Sequence, residues 1–133
     1  MTPAVPDALP RKLDELLSGG TVMLETRKRD GTWVATPVNL VGEHGRAFFR
    51  TYDASGKHKR LRNFPHVRIA PCTLLGKVKG PVEHGRALRV AGADADRAAA
   101  MVEARFPVLQ GRLVPFYHRR KKWTTLYYEL ILD

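Results

Sequence analysis

Residues 21–52 read TVMLETRKRDGTWVATPVNLVGEHGRAFFRTY, and the period of this stretch decides the fold. From Thr21 to Lys28, Val22 and Leu24 share one face of an extended chain, the two-residue repeat of a strand. Arg29-Asp30-Gly31-Thr32 is a hairpin turn in which Asp-Gly supplies the positive φ that a tight turn needs. Trp33 to Val41 is the return strand. It contains Pro37, which has no N–H for a ladder and so marks an edge, a bulge or a place where the ladder opens for a ligand. Gly42-Glu43-His44-Gly45 turns the chain again into Arg46 to Tyr52. Three antiparallel strands in series make a meander.

Working outward, Met1 to Pro10 holds three prolines and reads as a loose arm. Arg11 to Leu17 carries Leu13, Leu16 and Leu17 at helical spacing, and Gly19-Gly20 ends that helix. Beyond the meander, Asp53 to Gly56 is polar, and Lys57 to Asn63 forms one or two helical turns stopped by Asn63-Phe64-Pro65. His66 to Thr73 is a strand, and Lys77 to Val90 contains a long one with bends at Gly80-Pro81 and Gly85. Ala93 to Phe106 is a helix with Met101, Val102 and Phe106 as its apolar stripe. Val108 to Arg120 is open between loop, helix and strand. Trp123 to Leu132 is a closing strand whose Leu126, Tyr128, Leu130 and Leu132 alternate with Tyr127, Glu129 and Ile131. Many short antiparallel strands indicate a mainly β protein with short helices, a β-barrel, in one domain over residues 1–133. Glu-His-Gly-Arg-Ala occurs at 43–47 and again at 83–87, but the first copy reads as a turn and the second as a strand, so it is no structural repeat.

Composition narrows the function classes. Of 133 residues, 23 are Lys or Arg and 13 are Asp or Glu, a net charge of +10. Such an excess calls for an anionic partner: nucleic acid, an acidic membrane surface, or a ligand bearing phosphates or carboxylates. The single cysteine, Cys72, forms no internal disulfide, and no Cys/His set has structural-zinc spacing. No apolar run approaches a membrane span, and the N-terminus lacks the apolar core of a signal peptide, so a reducing cytoplasm is expected. Glycine-rich dinucleotide, P-loop and serine-hydrolase motifs are missing.

Three constellations remain. In Arg50-Thr51-Tyr52-Asp53-Ala54-Ser55-Gly56-Lys57-His58-Lys59-Arg60-Leu61 a strand ends, a Ser-Gly loop follows and a helical turn begins. Amides at a helix start, two hydroxyls and several cations suit a phosphate, although the same run also reads as a solvated basic helix. In Ala35-Thr36-Pro37-Val38-Asn39, the proline frees ladder groups and Asn39 offers an amide beside a planar ligand; a bulged edge strand is the plainer reading. Arg119-Arg120-Lys121-Lys122-Trp123 grips phosphates or is a solvated turn. Cys72 reads as a small buried residue, and the histidines at 44, 58, 66, 84 and 118 as surface or turn residues.

The order of these pieces resembles a known family. Asp30-Gly31-Thr32-x-x-Ala35-Thr36-Pro37-Val38 resembles the first hairpin of the flavin and deazaflavin oxidoreductases with the pyridoxamine-phosphate-oxidase-like split barrel. Phe49-Arg50-Thr51…Ser55-Gly56-Lys57-x-Lys59-Arg60-Leu61-x-Asn63-x-Pro65-x-Val67 is similar to their cofactor-phosphate segment. Val67-Arg68-x-Ala70-Pro71-Cys72 and Gly80-Pro81-Val82…Gly85-Arg86-Ala87 continue the likeness in order. It covers about Thr21 to Val90, with a compatible helix and last strand.

The resemblance implies a six-stranded antiparallel split β-barrel of the FMN-binding type, working as a homodimer with cofactor at the subunit interface. It places Thr51, Ser55 and Lys57 on the cofactor phosphate, within a segment that also holds Arg50 and Gly56, and makes Lys59 and Arg60 supports. Thr36, Pro37, Val38 and Asn39 match the strand along the tricyclic ring, and Pro71 and Cys72 lie on a strand close by. In pyridoxamine phosphate oxidases the strand matching Ala35 to Val41 brings an Arg and a Lys to FMN. Here it is apolar apart from Thr36 and Asn39, which is closer to the actinobacterial branch that uses the deazaflavin coenzyme F420. The expected activity is hydride transfer from reduced F420 to a small organic acceptor, with an FMN-binding protein of the same fold as the alternative. A basic nucleic-acid-binding barrel is a more distant alternative, since aromatics are only 8% and no stacking platform is evident.

Overall fold

The computed structural model describes residues 5–52, 55–106 and 124–133, with side chains from residue 11 onward. The chain runs α1 (Val5–Gly19), β1 (Thr21–Arg27), β2 (Trp33–Glu43), β3 (Arg46–Tyr52), α2 (Gly56–Asn63), β4 (His66–Pro71), β5 (Glu83–Val90), α3 (Gly92–Arg105) and β6 (Thr125–Leu132). The strands close into an antiparallel barrel in the order β1-β2-β3-β6-β5-β4. The meander is its first half. Gly31 takes φ +92° in the first hairpin, where Lys28 N–H donates to the Thr32 carbonyl at 2.8 Å. Asp30 accepts from the Thr32 amide and hydroxyl, which tightens the turn.

Alternation along the strands fills the barrel. Val22 and Leu24 of β1, Val38 and Leu40 of β2, Phe49 of β3, Val67 and Ile69 of β4, Ala87 of β5 and Leu126, Tyr128 and Leu130 of β6 form one buried cluster. Leu13 and Leu16 from α1 and Leu61 from α2 join it. β3 is buried on both faces: Phe48, pointing away from the barrel interior, packs with Val41, Ala98 and Val102 beneath α3. An outer helix therefore covers the β2–β3 face, and the continuous apolar run Ala47-Phe48-Phe49 is its sequence mark.

Two clamps fix α3. The Arg46 guanidinium bonds both carboxylate oxygens of Asp94 at 2.9 and 3.0 Å and both of Glu129 at 2.9 Å. Arg105 donates to the carbonyls of Leu17 and Ser18, closing the C-terminal end of α1.

The register differs from the sequence expectation in three places. The helix begins at Val5, so residues 5–10, expected as part of a loose arm, are its first turns; Pro6 falls where a missing N–H breaks no bond. Of Lys77 to Val90, expected to contain a long strand, only Glu83–Val90 is one. Before it, Val78 makes an isolated bridge to Cys72, and Gly80-Pro81 prevents a continuous ladder. His58, read as a surface or turn histidine, is buried, with Nδ1 2.6 Å from the Tyr128 hydroxyl. Residues 107–123, including the basic run at 119–122, lie outside the described residues.

Candidate functional site

β2 pairs with β1 from Trp33 to Asn39, but with β3 only from Leu40 to Glu43. The two strands therefore part at Asn39, and Pro37 falls in the segment left open on that side. Between the parted strands lies a cleft of about 240 Å³, lined by Pro37, Val38 and Asn39 of β2, Arg50, Thr51 and Tyr52 of β3, Ser55 and Lys57 at the start of α2, and Val102 and Phe106 from α3. Of the three readings open for this proline, an edge, a bulge or an opened ladder, the last describes its place.

The start of α2 is built for hydrogen bonding. Ser55 is the N-cap, and its Oγ accepts from the His58 amide at 3.0 Å. The same Oγ lies 2.9 Å from Thr51 Oγ1. Only one proton is used in that hydroxyl pair, so the other remains for an anion in the cleft. Lys57 Nζ donates to Thr36 Oγ1 at 3.1 Å, which ties α2 to β2 and leaves two ammonium protons. On β2, Thr21 donates to Asn39 Oδ1 at 3.3 Å, so the Asn39 amide nitrogen keeps its donors.

Among the described lining residues the charged groups are all of one sign, Arg50 and Lys57. Burial pulls the Lys57 ammonium below the usual lysine range, and the nearby Arg60 guanidinium adds to the shift. Among the described residues, neither Lys57 nor Arg50 meets a carboxylate. Arg50 Nη1 is buried and has no hydrogen-bond partner there. A buried donor without an acceptor costs about 1–3 kcal/mol, and more when charged. Two partly desolvated cations, a free hydroxyl proton and a capped helix start are the groups an anion would need.

Seven of the residues singled out from sequence line the cleft: Pro37, Val38, Asn39, Arg50, Thr51, Ser55 and Lys57. Thr36 reaches it through Lys57, and Gly56 opens the helix beside it. Arg60 is held by Thr26 Oγ1 at 2.6 Å, and its Nη1 lies 2.7 Å from where a Cβ on Gly56 would stand. It acts on the cleft through its charge. Lys59 is exposed and outside the lining. Pro71 and Cys72 are also outside it; Cys72 is 1% exposed, its amide bonds the Thr21 carbonyl, and burial raises its thiol pKa. Sequence reasoning missed Val102 and Phe106 as lining residues. Their apolar stripe was visible, but nothing in a helix pattern says which strands it will cover.

Among the described residues, no group of His, Cys, Asp and Glu is placed to hold a metal ion, and no helix is long and apolar enough to cross a membrane. No family model and no curated protein matches the chain. Solved structures do. A pyridoxamine 5′-phosphate oxidase candidate from Listeria innocua superposes with TM-score 0.66 at 13% identity, over 94% of each chain. A candidate 5-nitroimidazole antibiotic resistance protein from Bacteroides thetaiotaomicron gives 0.64 at 9% identity, over 92% of this chain and 79% of that one. A haem binding protein from Mycobacterium smegmatis gives 0.65 at 13% identity; all of this chain spans 53% of its length. These likenesses establish the fold, a six-stranded split barrel with three short helices.

Proposed function

We propose that the cleft binds a flavin-type cofactor by its phosphate, in a homodimer, and that the protein is a reductase using the deazaflavin coenzyme F420. The observation that carries this reading is the buried, unpartnered Nη1 of Arg50 beside Lys57 and the Thr51–Ser55 hydroxyl pair. Such a cradle fits a phosphate group. Two cations line it and β2 adds none, which favours a singly charged phosphodiester, as in F420, over the more highly charged phosphate of FMN. The net charge of +10 over the whole chain offers attraction to a polyglutamate tail.

Reduced deazaflavin would supply a hydride to a small organic acceptor. The chain's own residues bind, orient and shield. Pro37 and Val38 give an apolar floor, the Asn39 amide nitrogen offers a directional donor, and Val102 and Phe106 of α3 keep water from one side. Among the described lining residues, the Tyr52 phenol and the Lys57 ammonium are groups able to give a proton to the product. A haem-type ligand is less suited to a cleft lined by hydroxyls and cations with no imidazole among its described lining residues.

Homodimer formation is supported by the size of the cleft and by one apolar surface. At about 240 Å³, the open cleft is below the ~300–1,000 Å³ of sites that enclose a ligand alone. Leu74 and Leu75 are 79% and 97% exposed at the tip of the β4–β5 connection, near the exposed Val78 and Val82. A second copy of the chain would fill the cleft and cover the leucines together.

The test is a fluorescence titration of purified protein with F420 and, separately, with FMN at moderate salt. Tight F420 binding with weak FMN binding supports the reductase. The reverse preference keeps the phosphate cradle and changes the chemistry. Binding of neither overturns the reading and brings nucleic acid forward.

A further inference from the structure

A second cavity, of about 310 Å³, lies on the other side of α2 from the cleft, between that helix, β5 and β6. Its floor is deeply buried: Leu61, Ala87 and Tyr128 are 2–3% exposed, and the His58 ring meets the Tyr128 hydroxyl there. Its rim is exposed and carries Leu88, Arg62 and Arg89. The walls are largely apolar, yet the two side chains with reach at the mouth are both guanidinium groups. Among the described residues neither has a carboxylate partner. Both cations act on Tyr128: burial raises its phenol pKa, while Arg89 and Arg62 pull against that shift, which places positive charge over the floor.

We propose that this cavity is a second ligand site, for a small organic acid with a flat apolar body and one carboxylate. The body would fill the space above the His58–Tyr128 pair, and the carboxylate would meet Arg62 and Arg89 at the mouth. The volume sits at the low end of ligand pockets and suits a single ring. Planar guanidinium groups favour a carboxylate in the two-bond arrangement. Neither group lines the anion cleft, so this site is independent of the cofactor reading.

The test is an amide-shift NMR titration of the full chain with benzoate, with acetate (charge without ring) and benzyl alcohol (ring without charge) as controls. Benzoate should move amides in 58–62 and 85–89 at concentrations where neither control does. Arg89→Ala, at an exposed position that folding does not need, should weaken benzoate roughly 10- to 100-fold, the loss of one charge-assisted contact. Arg62→Ala should do the same, and Lys57→Ala should leave benzoate affinity unchanged. Equal shifts with acetate would mean only general attraction to a basic surface and overturn the proposal. Shifts confined to residues 36–39 and 50–57, or none at 58–62 and 85–89 because a partner subunit covers the cavity, would also overturn it.

Discussion

The ammonium of Lys57 donates to the hydroxyl of Thr36 across 3.1 Å, and this bond joins the first turn of α2 to the open half of β2. The two residues are far apart in sequence and belong to different constellations. Their meeting makes one cleft of both. Among the described residues it also leaves a cation partly buried with only a neutral partner, a costly arrangement for a protein with nothing to bind there.

That cost gives the first prediction. Because burial lowers the Lys57 pKa, the unfolded chain binds more protons, and stability rises with pH between the lowered value and the ordinary 10.5. Below that window the charged lysine strains the fold. Lys57→Met should therefore stabilise the ligand-free protein by on the order of 1 kcal/mol, roughly 4 °C in Tm. The same change should weaken F420 binding by 10-fold or more. Thermal melts with and without F420 check both; a variant less stable and equally able to bind would remove Lys57 from the site.

A pH dependence of binding follows from the same group. A phosphate beside Lys57 favours the ammonium form and raises its pKa again. Binding then takes up a proton above the free-state pKa, and affinity should fall by up to tenfold per pH unit there. Titrations from pH 7 upward, with calorimetry in buffers of different ionisation enthalpy, measure that uptake. Affinity flat to pH 10 would assign the phosphate contact to Arg50 alone.

Ser55 carries two roles that a pair of substitutions separates. Ser55→Ala removes the cap on the His58 amide and should cost about 1 kcal/mol of stability. Ser55→Asp keeps a good cap but sets a negative charge beside Thr51. It should hold the wild-type stability within about 0.5 kcal/mol and lose cofactor binding. If Ser55→Asp still binds, the phosphate does not approach α2.

How much of this was legible in the chain depends on the range of the interaction. The turns at Asp30-Gly31 and His44-Gly45, the helix start after the Ser55-Gly56 loop and the stop at Phe64-Pro65 are local, and each is visible in a few residues. Pro37 announced an edge, a bulge or an opened ladder without saying which. The cleft needed β2 and β3 to separate at Asn39, which depends on where β6 pairs with β3, a partnership between residues 47–52 and 125–130. His58 looked like one more polar residue of a basic helix, because its partner Tyr128 is 70 residues away. Where within Lys77 to Val90 the strand begins was not legible, although Gly80-Pro81 was read as a bend; it begins after that bend, at Glu83.

Asp94 controls the cleft from outside it. Hydrogen bonds from Arg46 hold its carboxyl below the usual range, so its contribution is present above pH 3.8 and lost as pH falls through the lowered value. The bond pair anchors the N-terminal end of α3, the helix that brings Val102 and Phe106 to the cleft. Asp94→Asn should lower Tm slightly, speed amide exchange along α3 and weaken cofactor binding without touching the phosphate contacts. Hydrogen-exchange mass spectrometry reads the helix directly; unchanged exchange in α3 would show that the apolar contacts of Ala98 and Val102 suffice.

The last prediction concerns the partner copy. Leu74 and Leu75 occupy the middle of a tight turn closed by the Gly76 amide on the Thr73 carbonyl at 2.9 Å, with Gly76 at φ +90°. Turn centres favour polar residues, so two nearly bare leucines there are costly unless something covers them. The turn is also braced by the Lys79 amide on the Pro71 carbonyl, which fixes the leucines outward rather than letting them fold back. Burying each in a dimer would return about 1.5–3 kcal/mol. Leu75→Asp should therefore shift sedimentation from dimer toward monomer at micromolar concentration, and cofactor affinity should fall with it if the second subunit completes the cleft. A dimer of undiminished stability would move the interface elsewhere. A monomer that binds F420 as tightly as wild type would show that one chain holds the whole site.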